Sequence, residues 1–276
     1  MSRKSTKKIV LSIAGSDSSG GAGIQADLKT FTAFNCFGMT VLTAVTAQNS
    51  QTVSKLHIVP PEIVASQITA LIEDYDLSAI KIGMIASNET AKVIAKTLKE
   101  VPNIPTILDT PMRASTGTPL IEGESPKALI ENLCSIATLI TPNLDEAAVL
   151  LGGEKARSHD DMINQSKQLH ERGAKAVYLK GGHLTETTPV EAVDVFYDGA
   201  ELRMIKAPWV DVPHRHGTGC LLSAAIAASL SQGEQLISAI EMAKSWLTNC
   251  LQASSAMQLG TGPGPVNILK MPNFQD

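Results

Sequence analysis

The segment IVLSIAGSDSSGGAGIQADLKTF, residues 9–31, indicates how this chain folds. Its first six residues, 9–14, are an apolar run that predicts a buried strand. A loop rich in glycine and serine follows, after which the apolar residues Ile24, Leu28 and Phe31 recur at helical spacing. A buried strand that leads through a loop into a helix is the repeating unit of an α/β fold.

The same alternation continues along the chain. We predict further strands at 39–47, 79–83, 105–109, 138–140 and 176–180, and a hairpin formed by 193–197 and 202–205. Helices are predicted at 24–34, after Pro60-Pro61, and at 88–99, 125–134, 143–151, 159–172, 218–231 and 234–257. Strands that alternate with helices imply right-handed crossovers and a mostly parallel, twisted sheet covered on both faces, which is a three-layer αβα sandwich.

The composition is that of a globular protein. Of 276 residues 43% are hydrophobic, and no linker or repeat divides the chain, so we expect a disordered basic tail at 1–8 and a single domain at 9–276. The net charge of −4 gives no electrostatic attraction for nucleic acid or an anionic membrane. No apolar run near the start is long enough for a signal sequence, and four cysteines without a CxxC pair fit reduced thiols, so we expect a cytoplasmic protein.

The glycine-rich loop Gly15–Gly23 allows several interpretations. In a parallel sheet, ligands bind beyond the carboxyl ends of the strands, where this loop lies. It lacks the Gly-Lys-Ser/Thr of a Walker A loop. Residues 21–26 match the G-x-G-x-x-A pattern of a dinucleotide site, but Val41–Asn49 lacks the acidic residue expected on the ribose. An ordinary turn and a loop that approaches a substrate both remain open.

The motif HGTGC, 216–220, opens a predicted helix. A glycine-rich turn at a helix N-terminus presents unpaired amides and the positive end of the helix dipole, which suits a transferring phosphoryl group. Cys220 falls in the first turn, where a lowered thiol pKa would let it accept the proton of an attacking hydroxyl. The alternative is a buried cysteine at the start of an apolar helix.

Other polar residues follow the predicted strands. Asn143 and Glu146 stand in an N-x-x-E spacing that suits Mg²⁺-bound water near a triphosphate, or a simple capping box. Asp109 ends a strand and could serve metal or phosphate chemistry, and Lys180 begins a KGGH turn suited to phosphate. The amide of Gln48 could match the amino group and ring nitrogen of an aminopyrimidine, or Gln48 is simply a polar loop residue.

Taken in order, these motifs resemble the ribokinase-like superfamily. Within it, AGSDSSGGAGIQADLKTF (14–31), TAVTAQNS (43–50), KIGM (81–84), TPNLDEAAVLLG (141–152), YLKGGHL (178–184) and HGTGC (216–220) resemble the hydroxymethylpyrimidine/phosphomethylpyrimidine kinases of thiamine biosynthesis. The resemblance covers about 8–268. It implies ATP-dependent phosphorylation of 4-amino-5-hydroxymethyl-2-methylpyrimidine, and then of its monophosphate, by a homodimer that uses Mg²⁺.

The resemblance also implies a role for each residue at a matching position. It assigns pyrimidine hydrogen bonds to Asp27 and Gln48, and it places Gly15, Ala22 and Met84 in the same pocket. Cys220 becomes the candidate base, with Gly217, Thr218 and Gly219 forming the anion hole. Mg-ATP would be held by Asp109, Asn143 and Glu146, with Mg²⁺ on Asp109 and Glu146 through water and Lys180 near the phosphates.

The chain departs from the family's pattern at two places. Where relatives often read DPVM or DTVM followed by AKSGD, this chain reads DTPMRASTGTP at 109–119. His214-Arg215-His216 stands where Asn/Lys-Thr-His is usual, so Arg215 adds charge near the predicted anion site. We expect these changes to affect the second phosphorylation more than the fold or the first step.

Three alternatives remain at this stage. A pyridoxal/pyridoxine kinase of the same superfamily is the nearest. A Rossmann oxidoreductase is weakened by the missing ribose carboxylate, and a non-catalytic pyrimidine-binding protein is weakened by the intact phosphate-site motifs.

Overall fold

One nine-stranded sheet organises the chain. The computed structural model describes residues 7–101, 103–112, 131–182, 184, 190–213, 215–255, 257 and 259–269. The strands are β1 (Ile9–Asp17), β2 (Phe37–Gln48), β3 (Val53–Ile58), β4 (Ala79–Ile82), β5 (Thr106–Leu108), β6 (Leu139–Ile140), β7 (Val177–Leu179), β8 (Glu191–Tyr197) and β9 (Leu202–Pro208). They lie in the order β3-β2-β1-β4-β5-β6-β7-β8-β9. The neighbours from β2 to β7 pair in parallel, whereas β3, β8 and β9 add antiparallel edges.

Helices cover both faces of this sheet. They are α1 (Gly23–Ala33), α2 (Pro61–Asp74), α3 (Asn88–Leu98), α4 (Leu144–Leu151), α5 (His159–Glu171), α6 (Thr218–Ser231) and α7 (Leu236–Ala253). Successive residues of a strand point to opposite faces. Leu11 and Ile13 accordingly join the core beneath α2, α3, α4 and α5, while Val10 joins the core beneath α1, α6 and α7. The predicted three-layer αβα sandwich is confirmed.

The predicted elements differ from the structure in detail. The strand β3 was not predicted, because it is an edge strand with several polar, exposed residues, which forms a hairpin with β2. The strand predicted at 9–14 extends into the first residues of the glycine-rich loop and ends at Asp17. Its register with β2 shifts between Ala14 and Ser16. Of the helix predicted at 125–134, only 131–134 lies within the described residues, and it is helical. Residues 1–6 of the predicted tail lie outside them.

Among the described residues, no helix combines the length and the apolar character that a membrane span requires.

Candidate active site

The carboxyl ends of the parallel strands surround a cavity of about 1130 Å³. Residues after β1, β2, β4, β5, β6 and β7 line it together with the start of α6, as expected for a parallel sheet. All of the predicted site residues except Asp27 lie on its wall: Gly15, Ala22, Gln48, Met84, Asp109, Asn143, Glu146, Lys180, Gly217, Thr218, Gly219 and Cys220. The fold therefore brings together motifs from the first strand and from the start of α6, which are far apart in the chain.

Asp17 organises the glycine-rich loop. Its buried carboxylate accepts hydrogen bonds from the amides of Ser19 (2.8 Å), Gly21 (3.1 Å) and Ala22 (2.8 Å). Nε2 of His216 lies 2.9 Å from the same carboxylate and joins this loop to the start of α6. Burial alone would raise the pKa of Asp17, but the hydrogen bonds from His216 and Ser19 hold it well below its ordinary value.

The glycine-rich loop and the turn before α6 touch backbone to backbone. Gly217 has a φ of 86°, and a Cβ built on it would lie 1.8 Å from the carbonyl oxygen of Gly21. Both the positive φ and the close approach require glycine at Gly217. The loop at Gly15–Gly23 therefore forms one wall of the site instead of a separate nucleotide-binding turn.

One end of the cavity carries the residues predicted to bind a pyrimidine. Nε2 of Gln48 lies 3.4 Å from Nε2 of His216, and the Gln48 amide group lines the cavity at the end of β2. A Cβ on Gly15 would lie 2.9 Å from Sδ of Met84, so these two residues are in close contact. The Met84 carbonyl accepts a hydrogen bond of 2.6 Å from Thr43, which fixes that segment of backbone.

The direct pyrimidine contact predicted for Asp27 is not supported by its position. Asp27 is fully buried, accepts a hydrogen bond of 2.6 Å from Ser12, and receives Nζ of Lys81 at 2.9 Å on both carboxylate oxygens. Lys81, from the centre of β4, lies on the cavity wall, whereas Asp27 does not. Burial opposes the charged form of Lys81, but the carboxylate of Asp27 outweighs this and raises the lysine pKa. Asp27 therefore contacts Lys81, which lines the cavity, and does not line the cavity itself.

The start of α6 presents backbone donors to the cavity. The amide of Thr218 donates to the carbonyl of Arg215 (3.3 Å), and that of Leu221 donates to Gly217 (2.9 Å). Within the described part of the chain, the amides of Gly219 and Cys220 donate to no protein acceptor. Such a helix terminus is a general anion-binding arrangement.

The lowered thiol pKa predicted for Cys220 is wrong. Burial raises the pKa of this thiol to about 11, although Lys81 opposes the shift. Desolvation therefore outweighs the helix terminus, and Cys220 keeps its proton at neutral pH. Cys220 still lies on the cavity wall, together with Gly219.

Charged groups from two strands face the start of α6. Nζ of Lys180 lies 3.2 Å from Oδ1 of Asp109, which also accepts a hydrogen bond of 3.1 Å from Thr141. A Cβ on Gly219 would lie 3.4 Å from Nζ of Lys180 and 3.8 Å from Oδ2 of Asp109. Burial alone would raise the pKa of Asp109, but the charges of Lys180 and Lys81 lower it.

The N-x-x-E segment forms a capping box, which was one of its two predicted roles. The side chain of Asn143 accepts from the Glu146 amide (2.9 Å), and Glu146 accepts from the Asn143 amide (2.8 Å) and from Thr110 (3.0 Å). Burial raises the pKa of Glu146 to about 7, although Lys180 opposes the shift. Both residues line the cavity, so the cap does not remove them from it.

The far end of the cavity is mainly apolar. Arg215, which was expected to add charge near the anion site, lies 4.8 Å above the ring of Trp209 and pairs with Asp211 at 3.0 Å. Its charge is therefore partly neutralised. The altered loop at 113–118 and His214 lie outside the described residues. Apolar side chains complete this end of the cavity: Ala192, Ala207, Pro208, Leu247 and Leu251.

Three residues of the site, Asp17, Lys81 and His216, had no predicted role of their own. Lys81 could have been found, because a lysine between the isoleucines of a buried strand must have a partner. Asp17 and His216 gave no comparable signal, since a serine- and glycine-rich loop often contains an exposed aspartate.

Comparison with known proteins agrees with this geometry. The family model for phosphomethylpyrimidine kinase matches residues 17–267. A hydroxymethylpyrimidine/phosphomethylpyrimidine kinase of Rhizobium meliloti is 44% identical over 94% of this chain and 96% of its own length. Other curated relatives are longer thiamine biosynthesis proteins, of which the chain spans 36% to 54%.

Two solved structures are also similar. The ADP complex of Bacillus subtilis pyridoxal kinase superposes with a TM-score of 0.85 and 35% identity, over 95% of this chain and 97% of that one. A phosphomethylpyrimidine kinase of Clostridium difficile gives a TM-score of 0.77 and 37% identity, over 88% and 99%.

The fold and the cavity are those of a small-molecule kinase of the ribokinase-like class. Within that class, the chain belongs to the phosphomethylpyrimidine kinase family. The curated relatives favour a kinase of the thiamine pathway over the pyridoxal kinase that the sequence left open.

Proposed function

We propose that this protein transfers the γ-phosphoryl group of ATP to 4-amino-5-hydroxymethyl-2-methylpyrimidine, and then phosphorylates the resulting monophosphate to the diphosphate. The observation that carries the proposal is a single cavity that joins Gln48 to the free amides at the start of α6. A substrate alcohol held at the first end can reach a phosphate held at the second.

The pyrimidine would bind at the end formed by Gly15, Gln48 and Met84. The Gln48 amide offers one donor and one acceptor, which pair with the ring nitrogen and the exocyclic amino group. Because a side chain on Gly15 would meet Met84, glycine lets the methionine pack directly on the β1 backbone, where it forms a wall for a flat ring. Ala22 closes the pocket from the glycine-rich loop.

The ATP phosphates would lie between Lys180 and the amides of Gly219 and Cys220. These groups are positive and already in place, so they stabilise charge on the transferring group without reorganisation. Thr218 contributes through the turn, since its hydroxyl holds the carbonyl of Arg215 at 2.6 Å. The base and ribose of ATP would occupy the apolar end of the cavity.

Mg²⁺ fits the carboxylates of Asp109 and Glu146. In the described part of the chain, no three His, Cys, Asp or Glu side chains come together as a metal site. Asp109 and Glu146 both line the cavity and would hold Mg²⁺ through water. Mg²⁺ characteristically binds one or two carboxylates, water and phosphate oxygens. When bound, it would neutralise charge on the triphosphate. Asn143 would hold Glu146 in place through the capping box.

Cys220 would relay a proton as a thiol. As the substrate oxygen bonds to the γ-phosphorus and the bond to the ADP oxygen breaks, the hydroxyl proton passes to sulfur. The thiol proton passes to an oxygen of the transferred group, so the sulfur is again a thiol at the end. A thiol with a pKa of about 11 can take part in this relay in its protonated form. The same pKa does not suit a role as a thiolate base, because a thiolate would have to form first. Positioning and electrostatics then supply most of the rate.

A substrate panel tests the proposal. ADP release should be fast with the hydroxymethylpyrimidine and its monophosphate, and slower with pyridoxal. A pyridoxal rate equal to the pyrimidine rate would instead support the vitamin B6 alternative. Tight pyrimidine binding without single-turnover phosphate transfer would support the non-catalytic alternative.

We also propose that the chain acts as a single-domain homodimer in the cytoplasm. The proposal rests on the family resemblance, and the four cysteines are free in the structure. Light scattering on the purified protein should give a mass near twice 29.2 kDa. A mass of one chain at micromolar concentration would contradict it.

A further inference from the structure

A buried polar cluster lies beside the turn that carries Lys180, and two of its members, Asp194 and Lys244, line the cavity. Oδ2 of Asp194, on β8, accepts hydrogen bonds of 2.5 Å from the Tyr178 hydroxyl and from Nζ of Lys244. Its Oδ1 accepts a hydrogen bond of 2.8 Å from the amide of Gly181. Asp194 is 5% exposed and Lys244 7%, so the charges compensate each other away from bulk water.

The cluster is connected to the phosphate end through the backbone. The turn after β7 is held at two successive amides, since the Lys180 amide donates to the carbonyl of Pro142 at 2.9 Å and the Gly181 amide donates to Asp194. A Cβ on Gly181 would lie 2.2 Å from the carbonyl of Val193, so the turn also packs directly on β8. Few conformations of Lys180 satisfy all three constraints.

We propose that Asp194 is a positioning residue for phosphoryl transfer. By accepting the Gly181 hydrogen bond, it fixes the backbone from which the Lys180 side chain reaches Asp109 and the start of α6. Lys244 pairs with the other carboxylate oxygen of Asp194, on the side away from Gly181. This inference rests on the proposed role of Lys180 at the phosphates.

The geometry suggests two matched double variants. In Asp194→Asn/Lys244→Met, the asparagine oxygen can still accept from Gly181 while its NH₂ group donates to the Tyr178 oxygen. In Asp194→Leu/Lys244→Met, the volume is similar but no acceptor faces Gly181. Both variants lack the buried ion pair, so they differ mainly in the hydrogen bond to the turn.

The experiment measures kcat, KM for both substrates and Tm for each double variant. We expect kcat within about threefold of the wild type for Asn/Met, and lower by about 10- to 100-fold for Leu/Met, as for a displaced catalytic group. The KM for the pyrimidine should not change, because Gln48 and Met84 are not touched. Tyr178→Phe, which loses a cluster hydrogen bond but none to the turn, should keep its kcat.

Adding Lys180→Met to each background separates positioning from general stability. If Asp194 acts through Lys180, the Leu/Met change should cost less than about threefold once Lys180 is removed. A full 10- to 100-fold cost in that background would overturn the inference while leaving the role of Lys180 intact. So would equal kcat values for the two double variants. A wild-type kcat for Lys180→Met alone would overturn the proposed role of Lys180 itself, and the inference with it.

Discussion

Replacing Lys81 by methionine should destabilise the protein severely, although the volume of the side chain hardly changes. Lys81 and Asp27 are both fully buried, with two N–O distances of 2.9 Å. Without the ammonium group, the Ser12 hydroxyl is the one donor to the buried carboxylate among the residues that the structure describes. Breaking one partner of a buried ion pair costs about 3–5 kcal/mol. At about 2 °C per kcal/mol for a chain of this size, the Tm should fall by about 6–10 °C.

Urea unfolding followed by circular dichroism measures this cost. Lys92→Met, an exposed lysine on α3, is the matched control and should change the free energy of unfolding by less than about 0.5 kcal/mol. Lys81→Met/Asp27→Asn removes the unpaired charge, so it should recover at least half of the lost stability. A Lys81→Met protein within about 1 kcal/mol of the wild type, or no recovery in the double variant, would refute the reasoning.

Three other predictions concern the site itself. Cys220→Ala should lower kcat by a factor of about 10² to 10⁴ with pyrimidine affinity nearly unchanged. Cys220→Ser, which can still relay a proton, should keep more activity. Equal kcat values for the two variants would contradict the proton relay. Gln48→Ala should raise the KM of the pyrimidine by about 10-fold with little change in the KM of ATP, and an unchanged pyrimidine KM would contradict the contact. Because the pKa of Glu146 is raised in the folded state to about 7 from 4.5, the folded protein binds the extra proton between these values. The contribution of this proton to the free energy of unfolding is complete below about pH 4.5 and is lost as the pH rises through 7. In urea titrations between pH 4.5 and 8, the wild type should therefore lose about 2–3 kcal/mol relative to Glu146→Gln. Parallel plots of unfolding free energy against pH for the two proteins would contradict the raised pKa.

The start of α6 shows which properties of the site a local sequence pattern can predict. The HGTGC motif predicted a helix start at 218 with donors for an anion, and the structure has α6 beginning at Thr218 with two free amides among its described residues. That prediction succeeds because glycine conformation and helix termini are local properties of the chain. The pKa of Cys220 could not be predicted in the same way, because desolvation depends on what other elements pack around the sulfur.

The sequence by itself determined the alternation of strands and helices, apart from β3, and the edge of the sheet where ligands bind, because hydrophobic periodicity and crossover handedness are local rules. Most of the residues at that edge were found from motifs at the ends of the predicted strands. Only the tertiary structure decided that Asp27 pairs with Lys81 instead of facing the cavity, and that Asp17 and His216 tie two distant loops together. Partners of this kind come from segments 54 and 199 residues apart. Burial and charge compensation at such distances are set by packing, which no local pattern encodes.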